Sequence, residues 1–116
     1  MTIPVTVQHV VFDASDPRRV ATFWSHLLNR PIGDDWGDFI RLEPDEAGTR
    51  LAFATVPEPK TTKNRVHLDV TVDDRERTCE ELVGLGAEVV DTRTAGEHTW
   101  TVMTDPEGNE FCIAES

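Results

Sequence analysis

The chain has 116 residues, 38% hydrophobic and 28% charged, with a formal net charge of −11; this is one domain's worth of protein, able to bury roughly two thirds of its unfolded surface without disulfides. The acidic balance repels phosphate backbones and excludes nucleic acid as a partner, and no apolar run approaches the ~20 residues that a membrane span needs. MTIPVTVQHV lacks the charged leader and apolar core of a signal peptide, so Cys79 and Cys112 are expected to be reduced thiols in a cytoplasm.

Residues 5–12, VTVQHVVF, are rich in β-branched side chains and predict a strand. A helix follows. Asp16 suits the N-cap, and Pro17 suits the first helical position, where its missing N–H costs nothing. Val20, Phe23, Trp24, Leu27 and Leu28 recur on one apolar face. Asn29 can take the left-handed closing conformation, and Pro31 blocks continuation. FIRLE (39–43) and TRLAFATV (49–56) read as strands separated by the turn PDEAG. VPEPKTTKN (56–64), with two prolines, is the one linker-like segment.

RVHLDVTV (65–72) predicts the next strand. DDRERTCEELVGLG predicts a helix capped by Asp73 or Asp74, with Cys79, Leu82 and Val83 inward and Gly86 closing it. AEVVDT (87–92), HTWTVMTD (98–105) and NEFCIAE (109–115) read as short strands, the last two joined by the tight reversal DPEGN. His26 and His98 are expected at the surface. PDEAG and DDRERTCEE are expected to be solvated.

The second half repeats the order of the first, and a shift of 58 residues places His9 on His67, Asp16 on Asp74, Trp24 on Leu82, Leu27 on Leu85 and Phe53 on Phe111. The fold class expected is therefore α+β. Two βαβββ repeats, residues 1–57 and 65–116 with a linker at 58–64, would form a curved, partly open sheet within a single domain. One helix per repeat would cover the convex face. Strand alternation aims Val10, Phe12, Val66, Leu68, Val70 and Val72 at the helices. It leaves His9, Val11, His67 and Asp69 on the other face, where two such sheets would line a trough for a small molecule.

QHVVFDASDPRRVATFW, NRVHLDVTVDD and WTVMTDPEGNEFC resemble the corresponding segments of the vicinal oxygen chelate superfamily, the glyoxalase, bleomycin-resistance and extradiol-dioxygenase group. The resemblance spans nearly the whole chain and points to an uncharacterised glyoxalase-like branch. It implies metal ligands on the first strand of each repeat and on the last strand. His9 and His67 match the first-strand positions. Cys112 stands where an acidic ligand is expected, and its counterpart in the first repeat is Ala52 or Ala54, depending on the register chosen.

A non-haem iron site takes two His and one carboxylate. Two His with Cys112 would instead suit zinc, and Glu110 lies near enough in sequence to compete. The reading that follows is a trough without the usual metal, its ligand-binding residues being His9, His67, Asp69, Cys112, Trp36 and Trp100. Asp69 would orient His67 or be solvated. Trp36 and Trp100 would stack on a flat guest. No cofactor is expected; a divalent metal such as zinc on His9, His67 and Cys112 is the minority alternative.

Two functions compete. One is an enzyme of the lyase, isomerase or oxygenase type, with an imidazole as general base. The other is a sequestering protein of the bleomycin-resistance type without catalysis, for which the acidic charge favours a cationic or metal-laden guest. A homodimer is implied by the resemblance.

Overall fold

The computed structural model describes residues 2–115. The chain divides at Pro59 and Lys60 into two compact units, a boundary that falls inside the expected linker. Each unit holds one four-stranded sheet and one helix, so both halves are βαβββ.

In the first unit, β1 (His9–Ala14), α1 (Pro17–Leu28), β2 (Ile32–Asp35), β3 (Phe39–Leu42) and β4 (Arg50–Thr55) build a sheet of order β1-β4-β3-β2. β1 runs parallel to β4 and the other pairs are antiparallel. The helix signals hold at both ends. The Asp16 side chain accepts from the Arg19 N–H at 3.2 Å, Pro17 opens the helix, and Asn29 closes it at φ 51°. Trp24 is fully buried and meets Phe12 and Phe23 edge-on at centroid distances of 5.3 and 5.7 Å. Val20, Ile40, Leu42 and Phe53 complete this core.

Two expectations for this unit need correction. The first strand does not start at Val5. Ile3, Val5 and Val7 are exposed, and the ladder with β4 begins at His9 opposite Arg50. A β-branched run becomes a strand only where a partner offers its backbone, and β4 reaches no farther back. β2 is the strand that composition hides. Its sequence, IGDD, has the glycine and aspartates that strands disfavour, and tertiary pairing to β3 overrides them.

The second unit holds β5 (Asp69–Val72), α2 (Arg75–Gly84), β6 (Glu88–Ala95), β7 (His98–Thr104) and β8 (Glu110–Glu115), with sheet order β5-β8-β7-β6. Asp74 caps α2 through the Arg77 N–H at 3.1 Å, and Gly86 follows the helix at φ 106°. Cys79, Leu82, Met103, Phe111 and Ile113 form the core.

Here β5 is only half the length of the predicted strand. The parallel ladder to β8 pairs Asp69 with Cys112 and extends back only as far as the Leu68 carbonyl, which accepts from the Cys112 N–H at 3.0 Å. Val66 therefore faces solvent, 78% exposed, instead of the helix, and His67 sits just ahead of the strand. Val83 is likewise exposed rather than inward: Cys79 and Leu82 carry the buried face of α2, and Val83 lies off it. β6 runs to Ala95, three residues beyond expectation. It is exposed along its whole length and carries a bulge between Val89 and Asp91.

The β-turns before β4 and β8 match atom for atom, Asp45 with Asp105 and Gly48 with Gly108. That correspondence is a shift of 60 residues, two more than between the capping aspartates of the helices. Ala52 is therefore the counterpart of Cys112, as the ladders confirm: Val11 pairs with Ala52, and Asp69 pairs with Cys112. Leu51, not Phe53, corresponds to Phe111.

Candidate functional site

Residues directly opposite each other in a ladder point to the same side of a sheet. In the second unit, Thr101 and Met103 are buried on the α2 side, where Arg75 Nη1 donates to Thr101 Oγ1 at 2.8 Å. The opposite face thus carries Trp100, Val102 and Thr104 from β7. Their partners add Glu110, Cys112 and Ala114 from β8, and Asp69 and Thr71 from β5. Asp91 and Arg93 continue the rows across β6.

On this face, three expected site residues come together. His67 Nε2 lies 3.2 Å from Asp69 Oδ1. The donor atoms of His67, Asp69 and Cys112 all lie within 4.8 Å of one another. The ladder register brings Asp69 beside Cys112. Two residues of extended backbone bring His67 to the same side as Asp69. Burial pushes the Cys112 thiol pKa up, and the negative charge and hydrogen bond of Asp69 push it the same way. Lys63 and Arg93 oppose them without cancelling the rise. Cys112 is thus a neutral thiol near neutral pH. Trp100 is half-buried on the same face, opposite Ala114 and Arg93.

Glu110 points to the same side but is already engaged. Its Oε1 accepts from the Asn64 N–H at 2.7 Å, and its Oε2 accepts from Lys60 Nζ at 3.1 Å. Asn64 Nδ2 in turn donates to the Glu110 carbonyl at 3.0 Å. Burial raises this carboxyl's pKa, but the bonds from Asn64 and Lys60 outweigh it and hold Glu110 below the usual glutamate range. The end of the linker is fastened to β8 by these contacts.

His9 belongs to the first unit, where its surroundings are different. Arg41 Nη1 lies 3.2 Å from His9 Nε2, and Phe39 meets the imidazole edge-on at 5.6 Å. A guanidinium has no acceptor atom, so the His9 Nε2 lone pair receives this bond. Asp34 Oδ2 receives Arg41 Nε at 2.7 Å and Arg50 Nη2 at 3.2 Å, tying the two guanidinia together. Trp36 is 60% exposed at the β2–β3 turn, with Arg41 over its ring at 5.3 Å and Phe39 at 6.1 Å.

Asp34, Arg41 and Arg50 were not among the residues expected from sequence. The alternation Arg50–Leu51–Ala52–Phe53–Ala54 carried the signal for Arg50, since a core containing Leu51 and Phe53 sends Arg50 to the His9 side. Asp34 was illegible because its strand was. Cys79, Trp24, His26 and His98 lie where expected, the first two buried and the histidines exposed.

These donors do not fit the oxygen-chelating metal that the resemblance implies. The His9 lone pair is taken by Arg41, Cys112 replaces a carboxylate, and Ala52 offers no donor atom. A hard divalent ion would meet a sulfur at the position of the acidic ligand and, at His9, a nitrogen already bonded to Arg41.

Residues 9–114 match the family model for a glyoxalase-like domain. No curated protein matches the chain. Among solved structures, a glyoxalase/bleomycin resistance protein/dioxygenase family enzyme from Burkholderia phytofirmans PsJN is similar at 16% identity and TM-score 0.78, covering 96% of this chain and 98% of its own. A glyoxalase-related enzyme from Fulvimarina pelagi is similar at 17% identity and TM-score 0.74, covering 96% of this chain and 88% of its own. The fosfomycin resistance protein FosX from Mesorhizobium loti is similar at 14% identity and TM-score 0.73, covering 99% and 94%. At these identities the likeness is one of fold.

Proposed function

The chain belongs to the glyoxalase-like domain family, and from that premise we propose that it is a small-molecule-binding protein that has given up the family's usual metal. The observation that carries this reading is the open face of the second unit, where His67, Asp69 and Cys112 gather beside Trp100, away from α2. Such a face offers an imidazole, a carboxylate and a thiol to orient a guest, and an indole on which to stack it. His9, Trp36 and Phe39 give the first unit an aromatic face of its own.

Sequestration without chemistry is the reading the site supports best. The thiol is held protonated, so it is a poor nucleophile. The His67–Asp69 pair favours a second reading, proton transfer by His67 with Asp69 positioning its ring, as a lyase or isomerase would use. Tryptophan fluorescence titrated with planar metabolites and antibiotics tests the first. Saturable quenching that weakens in Trp100→Phe and His67→Ala is expected, and no response to any compound at millimolar concentration would remove its support. Conversion of a bound compound, lost in His67→Ala, would favour the second.

We further propose a cytoplasmic homodimer. Both cysteines are free thiols, and among the described residues no helix is long and apolar enough to cross a membrane. Exposed Val83, Leu85, Val89 and Val90 supply apolar surface for association. Light scattering at micromolar concentration should give twice the chain mass; a monomer would reject the dimer.

A further inference from the structure

We infer that the second unit binds one cation of the zinc class through His67 Nε2, Asp69 and Cys112 Sγ, a ligand set that does not include His9. This inference goes beyond the binding of an organic guest and does not depend on it. Three donors of three kinds, imidazole nitrogen, carboxylate oxygen and sulfur, lie within 4.8 Å of one another on adjacent strands. Such a mixed set suits a borderline ion that accepts nitrogen and sulfur, and disfavours magnesium or calcium, which want oxygen alone.

The neighbours decide which donors are available. Glu110 is ruled out because both its oxygens are engaged by Asn64 and Lys60. His9 is ruled out because Arg41 occupies its Nε2. Asp69 by contrast is mostly exposed, and its contacts in this region are with the two other proposed ligands. The substitution that removed the usual acidic ligand at position 112 thus stands next to a carboxylate supplied by β5. Three protein ligands leave coordination positions open to water or to an oxygen of a bound molecule.

Binding converts the Cys112 thiol to a thiolate and releases its proton to solvent, while the cation's charge stabilises the new anion. The His67–Asp69 contact and the thiol hydrogen bond give way to bonds to the ion, so no donor is left unpaired.

Cobalt(II) is the probe, because cobalt–thiolate bonding gives a near-ultraviolet charge-transfer absorption that zinc lacks. The chelator-stripped full-length protein should develop this band with one equivalent of cobalt and lose it on addition of zinc. Cys112→Ser should abolish the band. Asp69→Asn and His67→Ala should weaken affinity roughly tenfold or more, the loss of about 1.4 kcal/mol or more of binding. Glu110→Gln and His9→Ala should retain the band and its midpoint. Circular dichroism of each variant separates loss of ligand from loss of fold, and Asp69→Asn, altering an exposed side chain, remains decisive if another variant misfolds. The inference is overturned if no band forms, if the band survives Cys112→Ser, if Asp69→Asn leaves the midpoint unmoved, or if His9→Ala abolishes it.

Discussion

Asp45 and Asp105 close the same turn in the two units. Each backbone N–H donates to the carbonyl four residues on, at 2.8 Å for Asp45 and 2.9 Å for Asp105. Each Oδ1 accepts the N–H groups two and four residues ahead, within 2.9–3.0 Å. Asp105 differs in being buried, 3% exposed, and in holding the Asn109 side chain as well. Removing a buried acceptor leaves its donors without partners or water. Asp105→Ala should therefore cost about 2–3 kcal/mol of unfolding free energy and Asp45→Ala about 1 kcal/mol. Urea denaturation measures both, and equal losses would show that burial is irrelevant at this turn.

Trp24 carries the core of the first unit. It is fully buried between Phe12 and Phe23, so Trp24→Ala leaves a large cavity. The expected loss is about 3–5 kcal/mol. Trp24→Phe should cost clearly less. Thermal unfolding followed by far-ultraviolet circular dichroism reads both, and a loss below about 1 kcal/mol for alanine would contradict this packing.

Glu110 makes stability depend on acid. Its pKa is lower folded than unfolded, because the Asn64 and Lys60 bonds outweigh burial. The unfolded chain therefore binds the proton more readily. The contribution is present above the ordinary glutamate value of about 4.3 and is lost as pH falls through the lower folded value. Glu110→Gln should destabilise by about 1 kcal/mol at pH 7. The gap from the parent should close below about pH 4. A gap that widens in acid would reverse the sign of the argument.

Asp69 should govern the reactivity of Cys112. Burial and then the Asp69 charge raise the thiol's pKa, which reduces the thiolate available to an alkylating reagent. Asp69→Asn removes the charge, so iodoacetamide should modify Cys112 several-fold faster at pH 8 in metal-free protein. Cys79 is buried, its thiol also raised mainly by burial, and it should react slowly in both proteins. Peptide mapping by mass spectrometry distinguishes the two thiols; an unchanged Cys112 rate would mean that burial alone sets its pKa.

Much of the fold was legible because its signals are local. Asp16, Pro17 and Asn29 mark α1 through backbone chemistry that needs no distant partner, and Asp74 and Gly86 do so for α2. The duplication was legible for the same reason. What failed was non-local. Val5 and Val7 are fine strand residues that the ladder to β4 does not reach, whereas Asp34 and Asp35 are poor ones held by β3.

The site divides in the same way. Period-two spacing joined His67 to Asp69, and the repeat matched His9 to His67. That Arg41 would take the His9 nitrogen depends on the pairing of β3 with β4, which sequence periodicity alone does not reveal. The choice between Ala52 and Ala54 needed the turn hydrogen bonds to fix the register.

Among the described residues β6 is the edge strand of its sheet and is exposed along its whole length, an arrangement that elsewhere templates fibril growth. The irregularity between Val89 and Asp91 interrupts the even spacing that an incoming chain must match. Glu88, Asp91 and Arg93 set unlike charges along the same stretch. These two features oppose strand-by-strand growth at this edge, and straightening it by deleting Val90 should turn a well-behaved protein into one that precipitates.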